Sequence, residues 1–186
     1  ADPFVKVRAE NGAEVQSKLI GDYNFENIMA ALCIGKYFGV APDAANQAIE
    51  QYEPGNMRSQ MVKKGTNTII LDAYNANPSS MQAAIENLAT MKTDRKVVIL
   101  GDMFELEEEA EKEHRLLGQI LQRKKFDTVY LCGKLFKSAL PEIPGAKYFE
   151  NKMALAEDLK MHPVSNATIL VKASRGIGLE TIVEYL

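Results

Sequence analysis

From residue 67 onward, short apolar runs alternate with longer segments whose apolar residues recur every three or four positions. Short apolar runs predict buried strands, whereas the longer spacing predicts amphipathic helices. The pattern predicts strands at 68–71, 96–100, 128–132, 146–149 and 168–172. It predicts helices at 79–91, 108–124, 135–139, 152–160 and 179–185.

This order of strands and helices predicts an α/β fold. Crossover helices favour parallel pairing, and strands that are apolar throughout must be covered on both faces. We therefore expect a Rossmann-like, mostly parallel sheet with helices on both faces. Two helical stripes are expected to face it: Met81, Ala84, Ile85 and Leu88 in the first helix, and Leu116, Leu117, Ile120 and Leu121 in the second.

The first 54 residues have a different pattern, which predicts a separate unit. Alternating segments at 4–8 and 13–19 flank Asn11-Gly12, a strong hairpin signal. Helices are predicted at 24–38 and at 42–51, the second with Ala44, Ala48 and Ile49 facing inward. Since Pro54-Gly55 interrupts the pattern, we expect one domain at 1–54, the α/β tail of a truncated domain, and another at 55–186.

Composition narrows the function classes. Hydrophobic residues make up 46% of the chain, and 22 basic against 25 acidic residues give a net charge of −3. This balance argues against a nucleic-acid partner, which requires a clustered basic excess. The sequence offers neither an apolar run of membrane-spanning length nor a signal peptide at 1–10, so a cytoplasmic protein is expected.

The cysteines and histidines give no metal signature. Cys33 and Cys132 lie in apolar patterns and are expected to be core thiols in a reducing compartment. The two cysteines and two histidines are far apart in sequence, so no metal ligands are predicted.

Polar side chains cluster where the strand at 68–71 ends, which is where open α/β sheets bind ligands. Asn77 and Pro78 suit the start of a helix, but a capped turn leaves Asp72, Tyr74 and Asn75 unexplained. Asp72 is expected to present a free carboxylate at the strand tip.

Two further strand ends, and a loop before the first strand of the sheet, carry candidate binding residues. Asp102 and Glu105 follow the strand at 96–100, where they could accept from a substrate ammonium or hold a loop. After the last strong strand, Lys172 and Arg175 flank Ser174 and suit a free carboxylate. The loop residue Arg58 could bind phosphate oxygens or be a solvated surface residue.

Two amides mark the helix at 24–38. Asn24 and Asn27 are three positions apart and lie on one helix face, where their amides suit a nucleotide base or ribose. The alternative for Asn24 is a helix cap. His114, in the helix at 108–124, is either a functional residue or an ordinary surface histidine.

Four segments in order resemble the Mur ligases, in particular those that add D-alanyl-D-alanine to UDP-N-acetylmuramoyl-tripeptide. They are Gly-Asp-Tyr-Asn-Phe-Glu-Asn at 21–27, Asp-Ala-Tyr-Asn-Ala-Asn-Pro-Ser-Ser-Met at 72–81, Gly-Asp-Met-Phe-Glu-Leu at 101–106 and Lys-Ala-Ser-Arg-Gly at 172–176. The chain departs from the family at Tyr23, where histidine is usual, and at Ala173, where glycine is usual.

The resemblance implies ATP-dependent amide ligation through an acyl phosphate, in peptidoglycan precursor synthesis, with no catalytic side chain required. It implies ATP contacts for Asn24, Asn27, Arg58 and Asp72. Substrate contacts are implied for Tyr74, Asn75, Asn77, Asp102, Glu105, Lys172, Ser174 and Arg175. His114 matches a family histidine.

The sequence contains no Gly-x-x-x-x-Gly-Lys-Ser/Thr loop for a triphosphate. The resemblance therefore implies that 1–54 is the tail of a central ATP-binding domain. The principal ATP and Mg²⁺ sites are then expected in the rest of the same ligase chain, and the fragment alone is expected to be inactive. Two alternatives stay open: a related amide ligase such as a folylpolyglutamate synthase, and a non-catalytic Rossmann-like module that binds a small anion.

Overall fold

A computed structural model describes residues 3–186 of the chain. The chain divides into two compact units, of which the first ends at Gly55 and the second spans Asn56–Leu186. No helix within residues 3–186 combines the length and the apolar character that crossing a membrane requires.

The first unit is a hairpin with two helices. Strands β1 (Phe4–Arg8) and β2 (Glu14–Ile20) pair antiparallel, so the predicted hairpin is confirmed. Helices α1 (Asn24–Tyr37) and α2 (Pro42–Gln51) follow. Its small core consists of Val5, Val7, Val15 and Ile28, with Leu32 and Ile49 packed against them.

Two expectations for this unit are wrong. Ala44 and Ala48 are exposed, and Asn46 is the buried residue of α2. Alanine methyl groups bury little area, so they do not fix which face of a helix turns inward. Cys33 is exposed because α1 packs through Ile28 and Leu32, and the thiol lies on another face.

The second unit is built on a six-stranded sheet in the order β3-β4-β8-β5-β6-β7. Its strands are β3 (Gln60–Lys64), β4 (Asn67–Asp72), β5 (Lys96–Gly101), β6 (Thr128–Cys132), β7 (Lys147–Phe149) and β8 (Thr168–Lys172). Its α-helices are α3 (Pro78–Thr90), α4 (Ala110–Arg123) and α5 (Lys152–Met161). Two longer 3-10 helices lie at Leu135–Glu142 and Leu179–Tyr185.

The prediction of a mostly parallel sheet covered on both faces is confirmed. β4, β8, β5, β6 and β7 are parallel. One face packs against α5 and the segment Leu179–Tyr185. The predicted stripe of α3 is buried and contacts β5 and β8 on the other face.

The edge strand β3 was not predicted. It pairs antiparallel with β4, and its side chains are half-buried or exposed. An edge strand with one neighbour buries few apolar side chains, so it produces no continuous apolar run in the sequence. The Gly65 turn, with φ of +55°, connects it to β4.

The inward face of α4 differs from the predicted stripe. His114, Leu117, Gly118 and Leu121 are buried, whereas Leu116 is 41% exposed. A Cβ at Gly118 would lie 3.0 Å from the carbonyl oxygen of Ala139, so glycine allows α4 to pack closely on the segment Leu135–Glu142. This close approach selects the face that turns inward.

Candidate functional site

The carboxyl ends of β4, β8 and β5 lie side by side at one edge of the sheet. Asp72 pairs in register with Lys172, and Lys172 pairs in register with Leu100. The three predicted segments that follow these strands are therefore neighbours, at the edge where parallel α/β sheets bind ligands.

Asp72 and Lys172 form an ion pair at this edge. Nζ of Lys172 lies 2.7 Å from Oδ2 of Asp72, and it also donates to the carbonyl oxygen of Asn75 at 3.0 Å. The side chain of Lys172 is 2% exposed, and that of Asp72 is 14% exposed. The backbone N–H of Ser59 donates to Oδ1 of Asp72 at 3.2 Å.

This pairing corrects two expectations. The Asp72 carboxylate is not free, although two of its roughly four acceptor positions remain open to a ligand hydroxyl. Lys172 is committed to Asp72 and to Asn75, and it cannot meet a dipeptide carboxylate without breaking that buried pair. The parallel register puts the two charged residues opposite each other, which the sequence separation of 100 residues conceals.

At the same edge of the sheet, two guanidinium groups lie close to the ring of Tyr74. The Cζ atom of Arg58 lies 4.2 Å from the ring centroid, and that of Arg175 lies 5.2 Å from it. Both arginines are exposed. Within residues 3–186 neither makes an ion pair with a carboxylate. We call Arg58, Tyr74 and Arg175 the tyrosine–arginine cluster.

The loop that carries Arg58 is held against the end of β4. Met57 and Ser59, on either side of Arg58, have positive φ angles of 58° and 50°. The backbone N–H of Tyr74 donates to the carbonyl oxygen of Met57 at 3.3 Å. Non-glycine residues in this region are strained, and such strain is concentrated at functional sites.

Asn75 and Asn77 have local structural roles as well as exposed positions. The Asn77 side chain accepts from the backbone N–H of Ser80 at 2.8 Å, and the Ser80 hydroxyl accepts from the backbone N–H of Asn77. This capping box confirms the predicted helix start. Oδ1 of Asn75 accepts from the backbone N–H of Ala76 at 2.8 Å.

Asp102 holds a loop, which was one of its two predicted roles. Its carboxylate accepts from the backbone N–H groups of Leu135 and Phe136, at 3.0 and 2.9 Å. The residue is buried and caps the 3-10 helix at Leu135–Glu142, so it is not available to a substrate ammonium. Glu105 is exposed, with a φ of +63°.

The segment from Asp102 to Phe104 is also held by Ser174 and His114. Ser174 donates its backbone N–H to the carbonyl oxygen of Asp102 and accepts the N–H of Phe104 on Oγ at 2.9 Å. Nε2 of His114 accepts from the N–H of Met103 at 3.0 Å. Nδ1 of His114 lies 2.6 Å from the carbonyl oxygen of Ala110, so this nitrogen carries the proton.

The surface interpretation of His114 is therefore wrong, because its side chain is fully buried. The sequence did contain a signal for this. His114, Leu117 and Leu121 follow one another at helical spacing, which places the imidazole on the apolar face of α4.

His114 should make stability depend on pH. Burial lowers its pKa from the ordinary 6.5, so the folded state keeps it neutral where the unfolded state is protonated. We therefore expect its contribution to the free energy of unfolding to be complete above pH 6.5 and to be lost as pH falls below 6.5.

Urea unfolding at pH 7.5 and 5.5 tests this. Wild type should lose stability on acidification, and His114→Gln should lose clearly less. Equal losses in the two proteins would contradict the assignment.

Cys132 offers no nucleophile at this edge. Burial and the charge of Asp102 raise the pKa of its thiol to about 12, so the reactive thiolate is scarce at neutral pH. Residues 3–186 contain no group of three or more His, Cys, Asp or Glu side chains that could hold a metal ion.

In the first unit, Asn24 and Asn27 bond to each other. Nδ2 of Asn27 donates to Oδ1 of Asn24 at 3.0 Å, and Nδ2 of Asn24 donates to the carbonyl oxygen of Ile20 at 2.7 Å. Neither contact caps α1, because the cap position is Tyr23. Asn24 is buried and ties α1 to the end of β2, whereas Asn27 is exposed.

Comparison with known proteins gives a consistent picture. The family model described as "Mur ligase, glutamate ligase domain" matches residues 57–175. The UDP-N-acetylmuramoyl-tripeptide–D-alanyl-D-alanine ligase of Bacillus subtilis is 36% identical over 176 residues, which are 90% of this chain and 38% of that protein. The chain thus spans well under half the length of this relative.

Solved structures agree on the fold. A structure of MurF from Acinetobacter baumannii matches with a TM-score of 0.85 and 26% identity, over 97% of this chain and 41% of that one. Folylpolyglutamate synthase of Mycobacterium tuberculosis matches with a TM-score of 0.63 and 17% identity, over 97% of this chain and 47% of that one. The second likeness concerns the fold alone.

Proposed function

The chain belongs to the Mur ligase family, and on that premise we propose that it is the C-terminal part of an ATP-dependent amide ligase. The full-length enzyme would join D-alanyl-D-alanine to UDP-N-acetylmuramoyl-tripeptide in cytoplasmic peptidoglycan precursor synthesis. The tyrosine–arginine cluster carries the proposal: two exposed guanidinium groups, without carboxylate partners among residues 3–186, lie at the ligand edge of the sheet.

The relatives support this substrate pair over the folylpolyglutamate alternative. The Bacillus subtilis protein, named for D-alanyl-D-alanine ligation, matches at 36% identity, whereas the folylpolyglutamate synthase is 17% identical with a lower TM-score than MurF. We further propose that 1–54 completes a central ATP-binding domain, that 55–186 is the C-terminal domain, and that the rest of the same ligase chain is its partner.

In the proposed reaction, ATP phosphorylates the terminal carboxylate of the tripeptide. The amine of D-alanyl-D-alanine attacks the resulting acyl phosphate, an amide bond forms, the carbon–oxygen bond to phosphate breaks and the amine loses a proton. No side-chain nucleophile is needed, so the protein acts by positioning, by stabilising charge and by excluding water.

The proposed ATP contacts of this chain are Asn24, Asn27, Arg58 and Asp72. The carboxylate of Asp72 retains acceptor capacity for a ribose hydroxyl, and the guanidinium of Arg58 is exposed and has no carboxylate partner within residues 3–186. Tyr74, Asn75, Asn77, Glu105 and Arg175 remain substrate candidates. Asp102, Ser174 and Lys172 hold the backbone of the neighbouring loops through hydrogen bonds. The principal ATP and Mg²⁺ sites are proposed to lie in the rest of the same ligase chain.

The test is ATP-dependent phosphate release and dipeptide incorporation by the full-length ligase that we propose contains this chain. Arg58→Gln should lower kcat/KM for ATP about 10- to 100-fold, since a hydrogen bond to a charged group contributes about 1.5–3 kcal/mol. The control Arg123→Gln, at the exposed end of α4, should behave as wild type.

The 186-residue chain alone should release no phosphate from ATP with both substrates present. Turnover by the chain alone would contradict its assignment as one part of the enzyme. Phosphate release by the full-length protein that does not depend on the dipeptide would contradict the proposed reaction.

A further inference from the structure

The tyrosine–arginine cluster places together two residues that the sequence assigned to different ligands. We infer that Arg58 and Arg175 form one binding site for a phosphate group, and that Tyr74 is the positioning residue that aligns them. The inference rests on the proposed function for its biological meaning, and it replaces the expectation that Arg175 binds the carboxylate of the dipeptide.

The two guanidinium groups share one ring. Their Cζ atoms lie 4.2 and 5.2 Å from the centroid of Tyr74, within the range of cation–π attraction. The two positive charges repel each other, and the attraction of each to the ring of Tyr74 offsets part of this repulsion. The tyrosine therefore stabilises an arrangement that two free arginine side chains would avoid.

The backbones on both sides of the cluster are fixed, so only the side chains remain to be aligned. The Arg58 loop is tied to the end of β4 through Tyr74 and Asp72. Arg175 begins a short 3-10 turn whose preceding residue, Ser174, is bonded to Asp102 and Phe104. A Cβ at Gly176 would lie 2.8 Å from the ring of Phe104, so the ring packs directly on this turn.

The local charge indicates the class of ligand. Lys172 and Asp72 neutralise each other, and among residues 3–186 no carboxylate forms an ion pair with Arg58 or Arg175. A phosphate group carries nearly two negative charges at neutral pH and presents several oxygens to two planar donor forks. The carboxylate of a dipeptide carries one negative charge and matches one fork, so phosphate satisfies the pair better.

The experiment measures binding of inorganic phosphate and, separately, of D-alanyl-D-alanine to the 186-residue chain by isothermal titration calorimetry at constant ionic strength. Arg58→Gln and Arg175→Gln should each raise the Kd for phosphate about 10-fold or more. The double variant should lose less than the product of the two single losses, because both residues hold the same ligand. Binding of the dipeptide should be unchanged in Arg175→Gln.

Tyr74 is tested with a matched pair of variants. Tyr74→Phe keeps the ring and should bind phosphate within about twofold of wild type, whereas Tyr74→Leu removes it and should raise the Kd about fivefold. Both variants should melt at the same temperature, since the ring is 36% exposed and lies outside the core.

Three results would overturn the inference: no phosphate binding by wild type, equal phosphate binding by Tyr74→Leu and Tyr74→Phe, or an Arg175→Gln defect confined to the dipeptide. These results differ from a failure of the proposed function. A full-length enzyme that binds phosphate through the cluster but ligates no dipeptide would refute the reaction and leave the site standing.

Discussion

Replacing Lys172 with methionine is expected to lower the free energy of unfolding by about 3 kcal/mol. The ammonium group is 2% exposed and pairs with Asp72 at 2.7 Å, so its removal leaves a largely buried carboxylate without a counter-charge. Breaking a buried ion pair from one side typically costs about 3–5 kcal/mol, and Asp72 keeps its bond from Ser59. Methionine retains the length of the aliphatic stem, so the loss reports charge rather than packing.

Chemical denaturation of the 186-residue chain measures this effect. The matched control is Lys112→Met, which removes an exposed ion pair to Glu109 and should leave the denaturation midpoint unchanged. The double variant Lys172→Met with Asp72→Asn should regain part of the lost stability, because it also removes the carboxylate charge that the single variant leaves unpaired. An unchanged midpoint in Lys172→Met would show that the pair does not hold the strand ends together.

Substituting alanine at Gly133 should destabilise the second unit by about 3 kcal/mol. Gly133 has a φ of +118°, and an added Cβ would lie 2.3 to 2.5 Å from the carboxylate of Asp102. The substitution therefore combines backbone strain with displacement of the group that caps Leu135 and Phe136. Loss of that cap leaves two backbone N–H groups without acceptors.

Gly145→Ala is the matched control, because no heavy atom lies within 4 Å of the added Cβ and its φ is not positive. Thermal unfolding should place this variant at or slightly above wild type, since alanine restricts the unfolded chain. If Gly133→Ala has the same melting temperature as Gly145→Ala, then the carboxylate of Asp102 can move without cost. Its assignment as a rigid cap would then be wrong.

The structural roles of Lys172, Asp102 and Ser174 show that the strand-end residues fall into two groups, a buried level and an exposed level. The buried level contains groups that bond to one another and fix the loops, whereas the exposed level contains Arg58, Tyr74 and Arg175, whose polar groups are available to a ligand. Motif matching treats both levels alike because both lie in the same short segments. Burial separates them, since a group that is already bonded in the interior supports a site without contacting the ligand.

The sequence by itself determined the elements with strong local signals. Continuous apolar runs marked β4, β5, β6 and β8, because a strand buried on both faces needs apolar side chains throughout. Asn77-Pro78 marked the start of α3, since a cap and its first turn depend only on adjacent residues. The order of motifs along the chain also placed candidate residues at strand ends, where the α/β fold binds ligands.

Only the tertiary structure decided which polar groups face one another. Asp72 pairs with Lys172 although the two are 100 residues apart, and Arg58 and Arg175 contact the same tyrosine ring although they are 117 residues apart. Periodicity reports the environment of a residue relative to its own helix or strand, but not the partner that a neighbouring element supplies. Strand order and register fix those partners, and they arise from packing over the whole sheet, which no local segment encodes.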